Sequence, residues 1–412
     1  MFDRQFTRCQ GLLMGVVATG LLGCGAEQRL LESMPGALSD DRAALADATN
    51  RFGLDLMTQL TRGSDENVLV SPFSAALALT MAGSGAEGQT QKAILTTLHL
   101  GDRDPLSVAS AYGKMLTALR DADSTVELAI ANSIWHRTDL AVRKDFIEEN
   151  RAVLEAEVTA LDFARPDAGS VINQWVAEKT RNKINQIVED RIDPSKAMLL
   201  INALYFKGDW TNRFSQTQTE EQSFQAARGK EVTVQMMRRK GLLPYLETRD
   251  FQAVSLPYGN GAFSFTLVLP AERVSLDAFL STLTPEVWRG WQEQIAPRSG
   301  ILMMPRFTMQ YNRSLTDVLR AAGMGIAFTP EADFSGMVQD GGLYIGDVKH
   351  KTFAAVNEEG TEAAAVTSVE MIRSMALVPQ FTMAVNRPFL FVIQETATHT
   401  MLFVGKVTQP GR

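Results

Sequence analysis

Helical periodicity fills the first half of this 412-residue chain and strand-like sequence the second, and that division constrains the fold more than any other feature. From Asp41 the apolar residues Leu45, Phe52, Leu56 and Leu60 recur at spacings that lay them on one helix face. A short strand, Asn67-Val68-Leu69-Val70, then leads into Ser71-Pro72, a capping residue followed by Pro at the first helical position. The helix through Phe73 to Met81 is mostly apolar and is expected to be buried on nearly all sides. Further helices are expected at 87–98, 106–121, 144–155 and 168–184, with strands at 126–136 and 197–206. After Thr211 strands dominate, as in Val254-Ser255-Leu256 and Phe263-Ser264-Phe265-Thr266-Leu267-Val268-Leu269, interrupted by one helical stretch at 275–294. Helices early and strands late imply an α+β fold with large, mainly antiparallel sheets. Length alone would allow two or three domains, but 45% hydrophobic residues and no polar or Pro-rich linker favour one large domain.

The N-terminus has the layout of an export signal. Arg4 and Arg8 precede the apolar stretch Leu12-Leu13-Met14-Gly15-Val16-Val17-Ala18-Thr19-Gly20-Leu21-Leu22, which is too short for a comfortable membrane span. Leu21-Leu22-Gly23-Cys24 also looks like a bacterial lipoprotein processing box, in which Cys24 is lipidated; an ordinary secretory signal with a chance cysteine is the alternative. The expected organisation is a signal at 1–23, a lipidated Cys24 with a tether at 24–40, and a folded domain at 41–412. Both cysteines, Cys9 and Cys24, lie in the leader, so no disulfide can hold the body together. Removing residues 1–23 takes away Asp3, Arg4 and Arg8 and changes the formal charge from -7 to -8. With Arg238-Arg239-Lys240 as the one basic patch, that acidity argues against nucleic acid as a partner.

Catalytic signatures are missing. Gly83-Ser84-Gly85-Ala86-Glu87-Gly88 matches a GxGxxG pattern but follows a helix, so its glycines read as turn residues rather than a dinucleotide cradle. There is no GxSxG elbow and no Ser three residues before any Lys. His99, His136, His350 and His399 are scattered and offer no close metal-ligand pair. His350 lies in strand-like sequence, 344–356, and reads as a buried hydrogen-bonding residue rather than a general base.

Residues 358–374 are the oddest stretch: an acidic pair, a glycine, a run of small side chains, then Met371-Ile372-Arg373-Ser374. As a strand, alternate residues would face the same way. One set, Thr361, Ala363, Ala365, Thr367, Val369 and Met371, carries no charge; the other, Glu362, Ala364, Val366, Ser368 and Glu370, holds both carboxylates. One face can be buried with the other in water, as insertion into a sheet would require. Composition by itself favours an Ala-rich helix or a flexible loop.

Several blocks, in order along the chain, resemble the serpin family: Asn67-Val68-Leu69-Val70-Ser71-Pro72-Phe73-Ser74; Asn202-Ala203-Leu204-Tyr205-Phe206-Lys207-Gly208-Asp209-Trp210; Met304-Pro305-Arg306-Phe307; Asp333-Phe334-Ser335-Gly336; Val348-Lys349-His350-Lys351-Thr352-Phe353; Arg387-Pro388-Phe389-Leu390-Phe391-Val392-Ile393; and Phe403-Val404-Gly405-Lys406-Val407. The resemblance runs from about Asp41 to Pro410. It implies three mainly antiparallel sheets, about eight or nine helices, and an exposed reactive loop at about 358–380. A target serine protease, or a cysteine protease, would cleave that loop, which would then enter the main sheet as a strand and trap the acyl-enzyme. The protein would be an inhibitor, not an enzyme, acting as a monomer without cofactor or metal, exported and either membrane-anchored through Cys24 or secreted.

Carried over by position, Glu358, Glu359, Gly360 and Thr361 match the hinge that enters first, and Ala363, Ala364 and Ala365 the small-residue run that follows. Ser71, Ser74, Asn202 and His350 match a polar cluster gating strand separation, and Trp210 an aromatic at the top of the main sheet. Loop length places the reactive bond at Ser374-Met375, which suits elastase- or subtilisin-like targets; Arg373-Ser374, one step earlier, would suit a trypsin-like pocket. A non-inhibitory serpin with a binding or chaperone-like role, and an exported hydrolase, are the alternatives.

Overall fold

In a computed structural model the described residues are 35–339, 341–361 and 378–411. Nine α-helices occur among them: α1 (Pro35–Thr61), α2 (Pro72–Gly83), α3 (Gly88–Thr97), α4 (Pro105–Asp121), α5 (Lys144–Leu154), α6 (Ala168–Lys179), α7 (Leu276–Leu280), α8 (Pro285–Gln294) and α9 (Thr316–Leu319). The first helix begins at Pro35, inside the stretch expected as tether. All twelve residues of α2 are buried, and the Ser71 side chain accepts a hydrogen bond from the Ser74 N–H at its start. The single helix expected at 275–294 is instead α7 and α8. Pro285 has no N–H to donate and forces Thr284 out of helical geometry (φ -120°, ψ 164°), so Thr284 becomes the cap of a new helix.

Fifteen strands run in chain order: β1 (Val68–Val70), β2 (Glu127–His136), β3 (Glu157–Ala160), β4 (Met198–Asp209), β5 (Glu220–Gln225), β6 (Glu231–Glu247), β7 (Phe251–Tyr258), β8 (Phe263–Pro270), β9 (Ala296–Pro305), β10 (Phe307–Ser314), β11 (Ile345–Val356), β12 (Gly360–Thr361), β13 (Phe381–Ala384), β14 (Phe389–Glu395) and β15 (Met401–Val407). They form two sheets rather than the three expected. The six-stranded sheet has the order β10-β11-β12-β4-β2-β3; the nine-stranded one runs β1-β15-β14-β8-β7-β6-β9-β13, with β5 on β6. The difference arises at β6, whose seventeen residues pair with β5, β9 and β7 in turn and weld two sheets into one.

Strand β4 shows why so much of this sequence is continuously apolar. Its Leu200, Leu204 and Phe206 face the main core between the sheets, where Phe206 meets Phe263 and Phe403 edge-on. Its Leu199, Ile201 and Ala203 face a second core with Trp135, Ile172 and Val176, built under α6. With both faces covered, alternation of polar and apolar residues disappears. The outer face of this sheet beside β4 is therefore helix-covered and not, as the strand reading of 358–374 supposed, open to water.

The GxGxxG stretch joins α2 to α3 as a helix-to-helix turn. A Cβ on Gly85 would lie 2.3 Å from Met337 and 2.7 Å from Phe146, so close packing, not phosphate binding, accounts for the glycine.

Candidate functional site: a seam in the six-stranded sheet

Strands β4 and β11 run parallel and pair directly through eight residue pairs, from Met198 with Ile345 to Leu204 with Thr352 and Tyr205 with Phe353. Above that point they part, and β12 lies between them, antiparallel to both: Thr361 pairs with Val356 on β11 and with Gly208 on β4. The reversal that brings β12 back is an Asx turn. The Asn357 side-chain oxygen accepts from the N–H groups of Glu359 (2.9 Å) and Gly360 (3.1 Å), and the Asn357 N–H donates to the Gly360 carbonyl (2.9 Å). Only glycine fits at 360, because a Cβ there would lie 2.0 Å from the Gly208 carbonyl oxygen.

Thr361 is fully buried and faces the main core, where its hydroxyl meets the Tyr258 hydroxyl at 2.6 Å. Trp210, just past β4, stacks on Tyr258 with centroids 4.5 Å apart. Its ring N–H donates to the Asn357 carbonyl (2.9 Å) and its backbone N–H to Glu359 (2.8 Å). Glu358 is 2% exposed; its carboxylate accepts from Arg306 (2.6 Å) and Thr219 (2.7 Å). Burial pushes the Glu358 carboxyl up, but the hydrogen bonds from Arg306, Thr219 and its own backbone outweigh it and leave it below its ordinary value.

The polar cluster sits midway down the seam. Register sets Asn132, Asn202 and His350 side by side on β2, β4 and β11. The Ser71 N–H donates to His350 Nε2 (3.1 Å), which leaves the proton on Nδ1, and that proton goes to Asn202 Oδ1 (2.5 Å). The Asn202 amide donates to the Ser74 carbonyl (2.8 Å) and to Asn132 Oδ1 (2.5 Å), with Ser74 Oγ also in contact. Burial drives the His350 imidazole down to about 3, so it is neutral. Uncharged and enclosed, it holds strands together and has no access to a substrate.

The foot of the seam is charged. Asp347 on β11 is contacted by Lys196 (2.8 Å), Lys349 (3.2 Å), Ser314 (2.6 Å) and Thr316 (3.2 Å). Burial raises its pKa, but the bonds from Lys196 and Ser314 and the charge of Lys349 bring it down to about 2. Lys351 bonds the Gln186 carbonyl, tying a segment that crosses the outer face to β11.

The structure thus brings Ser71, Ser74, Asn202 and His350 into one cluster, and Glu358, Glu359, Gly360, Thr361 and Trp210 into another. Ala363, Ala364, Ala365, Arg373, Ser374, Met375 and Cys24 lie outside the described residues. Asn132, Tyr258, Arg306 and Thr219 were not singled out from the sequence; Arg306 alone had a signal, its place in the Met304-Pro305-Arg306-Phe307 block. Among the described residues no group of three His, Cys, Asp or Glu is placed to hold a metal, and no helix is long and apolar enough to cross a membrane.

The protein is thus an α+β body whose six-stranded sheet carries a parallel seam, parted at one end by β12. The chain belongs to the serpin family: the family model for "Serpin (serine protease inhibitor)" matches residues 47–410. It is 32% identical over 367 residues to Iripin-5 of Ixodes ricinus, covering 87% of this chain and 93% of that protein. To neuroserpin of Homo sapiens it is 32% identical over 396 residues, covering 92% and 94%. Human thyroxine-binding globulin, solved in complex with thyroxine, superposes with a TM-score of 0.85 at 27% identity, covering 90% of this chain and all of that one. Members of this family are in the main protease inhibitors rather than catalysts.

Proposed function

We propose that this protein inhibits serine proteases by offering its loop as a substrate and inserting the cleaved loop into the β4–β11 seam. One observation carries the reading: Gly360 and Thr361 already occupy the head of the seam, antiparallel to both neighbours. Extending β12 downward replaces one parallel ladder with two antiparallel ones, the more stable pairing. A net gain of roughly ten backbone hydrogen bonds at about 1 kcal/mol each amounts to on the order of 10 kcal/mol. That sum makes the uncut form a kinetic trap.

Thr361 sets the parity. Continuing its alternation sends Ala363, Ala365, Thr367, Val369 and Met371 to the core face and both Glu362 and Glu370 to the opposite one, so no charge enters the main core. Likeness to a thyroxine-binding protein raises a non-inhibitory alternative, and the uncharged inward set is what argues against it. Ser374-Met375 is the proposed reactive bond, with Arg373-Ser374 as the competing register. Export through the leader, with a lipid anchor at Cys24, remains part of the proposal; palmitate labelling of the wild type and Cys24→Ala tests it.

The inhibitory claim is tested by incubation with trypsin-like, elastase-like and subtilisin-like proteases. A covalent complex that survives SDS is expected with at least one; clean cleavage by all three without a complex would sink the claim. Mass spectrometry of the released C-terminal peptide, beginning at Met375 or at Ser374, reads the register.

A further inference from the structure

Arg238-Arg239-Lys240 has no task in the mechanism above. On β6 the alternation turns Arg238, Lys240 and Leu242 to solvent while Met237, Leu243 and Tyr245 are buried. Arg239 faces the other way and donates to the Asn212 carbonyl (2.9 Å). Register sets Arg238 beside Met303 and Lys240 beside Ile301 on β9, and Ile301 beside Thr382 on β13. Leu242 is 58% exposed, one of few large apolar side chains so open among the described residues. Neither Arg238 nor Lys240 makes an ion pair among those residues.

This mixed face lies where the loop returns to the body. Val378, 80% exposed, precedes β13 by three residues. Met375 is three residues before Val378, so the proposed reactive bond is at most about 11 Å from it. Thr382 and Lys240 are two strand spacings apart, about 10 Å. A protease of about 220 residues is roughly 40 Å across, so one seated on that bond is large enough to reach the face.

We infer that Arg238, Lys240, Leu242, Ile301, Met303 and Thr382 form a second docking site for the target protease, receiving an acidic patch with an apolar neighbour beside its cleft. This rests on the inhibitory reading of the loop. The protein's charge of -7 repels an acidic enzyme from most directions, and two exposed cations, unpaired among the described residues and within a protease's reach of the bond, turn that repulsion into steering. Two cations interleaved with Leu242, Ile301 and Met303 suit a protein surface; a polyanion calls for denser positive charge without apolar neighbours.

The test uses the full-length protein and the fastest-acting protease of the three classes, and measures how quickly intact loop disappears, counting cleaved and covalent products together. The double variant Arg238→Glu, Lys240→Glu should slow that rate about tenfold at low salt and less than twofold at 1 M salt, where charges are screened beyond about 3 Å. Its partition between complex and cleaved product should match wild type. Leu242→Ser should slow the rate at both salt concentrations. A matched control, Arg62→Glu with Arg103→Glu, should change little. A double variant within twofold of wild type at low salt, or no slower than the control, overturns the inference. So does a change confined to the acceleration produced by added dextran sulfate, which would assign the face to a polyanion. Failure of the inhibitory reading looks different: no covalent product in the wild type, with the total rate still comparing the variants.

Discussion

The head and the foot of the β4–β11 seam are held by different physics. At the head the strands are already apart, and the wedge is kept by an Asx turn, an aromatic stack and one partly exposed ion pair. At the foot they pair directly around a buried carboxylate with two lysines and two hydroxyls. Between them lies a neutral network of amides and one imidazole, in which the Asn132 amide nitrogen finds no partner among the described residues. A sheet so graded opens from one end. On the proposed mechanism strand addition is directional, with each inserted residue meeting the next closed pair.

The comparison breaks most sharply at Thr361. Its side chain has no exposure, so Thr361→Arg places an unpaired charge in the core, at a cost of several kcal/mol. The covalent complex should vanish and the variant be consumed as a substrate; an unchanged stoichiometry of inhibition would contradict insertion. Asn202→Ala comes next, stranding the His350 Nδ1–H, the Asn132 oxygen and the Ser74 carbonyl. A loss of about 3 kcal/mol is expected, read as a lower denaturation midpoint and faster spontaneous conversion to an inactive inserted form.

His350 makes the middle of the seam pH-sensitive. Its folded pKa of about 3 lies below the ordinary 6.5, so its stabilising contribution is complete above 6.5 and is lost as pH falls toward 3. Stability should drop by a few kcal/mol across that window, and His350→Gln, which cannot charge, should flatten the drop. The ion pair at the head gives the smallest effect. Glu358 titrates below its ordinary 4.5, so its contribution is present above 4.5 and is lost on further acidification. Arg306→Ala should cost about 1–2 kcal/mol at neutral pH, less than a fully buried pair because Arg306 is half exposed. Asp347→Asn at the foot offers a contrast: equal loss of stability, but spread over the whole seam rather than confined to the hinge.

Much of this was legible in the sequence because local signals coincided with it. Ser71-Pro72 before an apolar run marked α2. What escaped depends on register between distant segments. Asn132 lies seventy residues from Asn202, and nothing near it announces that the two share a row. The Glu358–Arg306 pair joins two blocks read separately. The three sheets implied by the resemblance become two because β6 continues through Gly241 and Pro244, Gly241 opposite Gly300 and Pro244 opposite Pro297. The uncovered outer face was likewise an error of assembly, since α6 and the segment near Gln186 are placed over the sheet by long-range packing.

The central claim is that the seam holds room for one more strand and that the intact form is under tension for lack of it. Its most direct test is the thermal midpoint of the protein before and after a single cut within residues 362–377. The account predicts a rise of roughly 15 °C after cutting, the scale on which about 10 kcal/mol moves a domain of this size. An unchanged or lowered midpoint, the usual result of nicking an exposed loop, would contradict it.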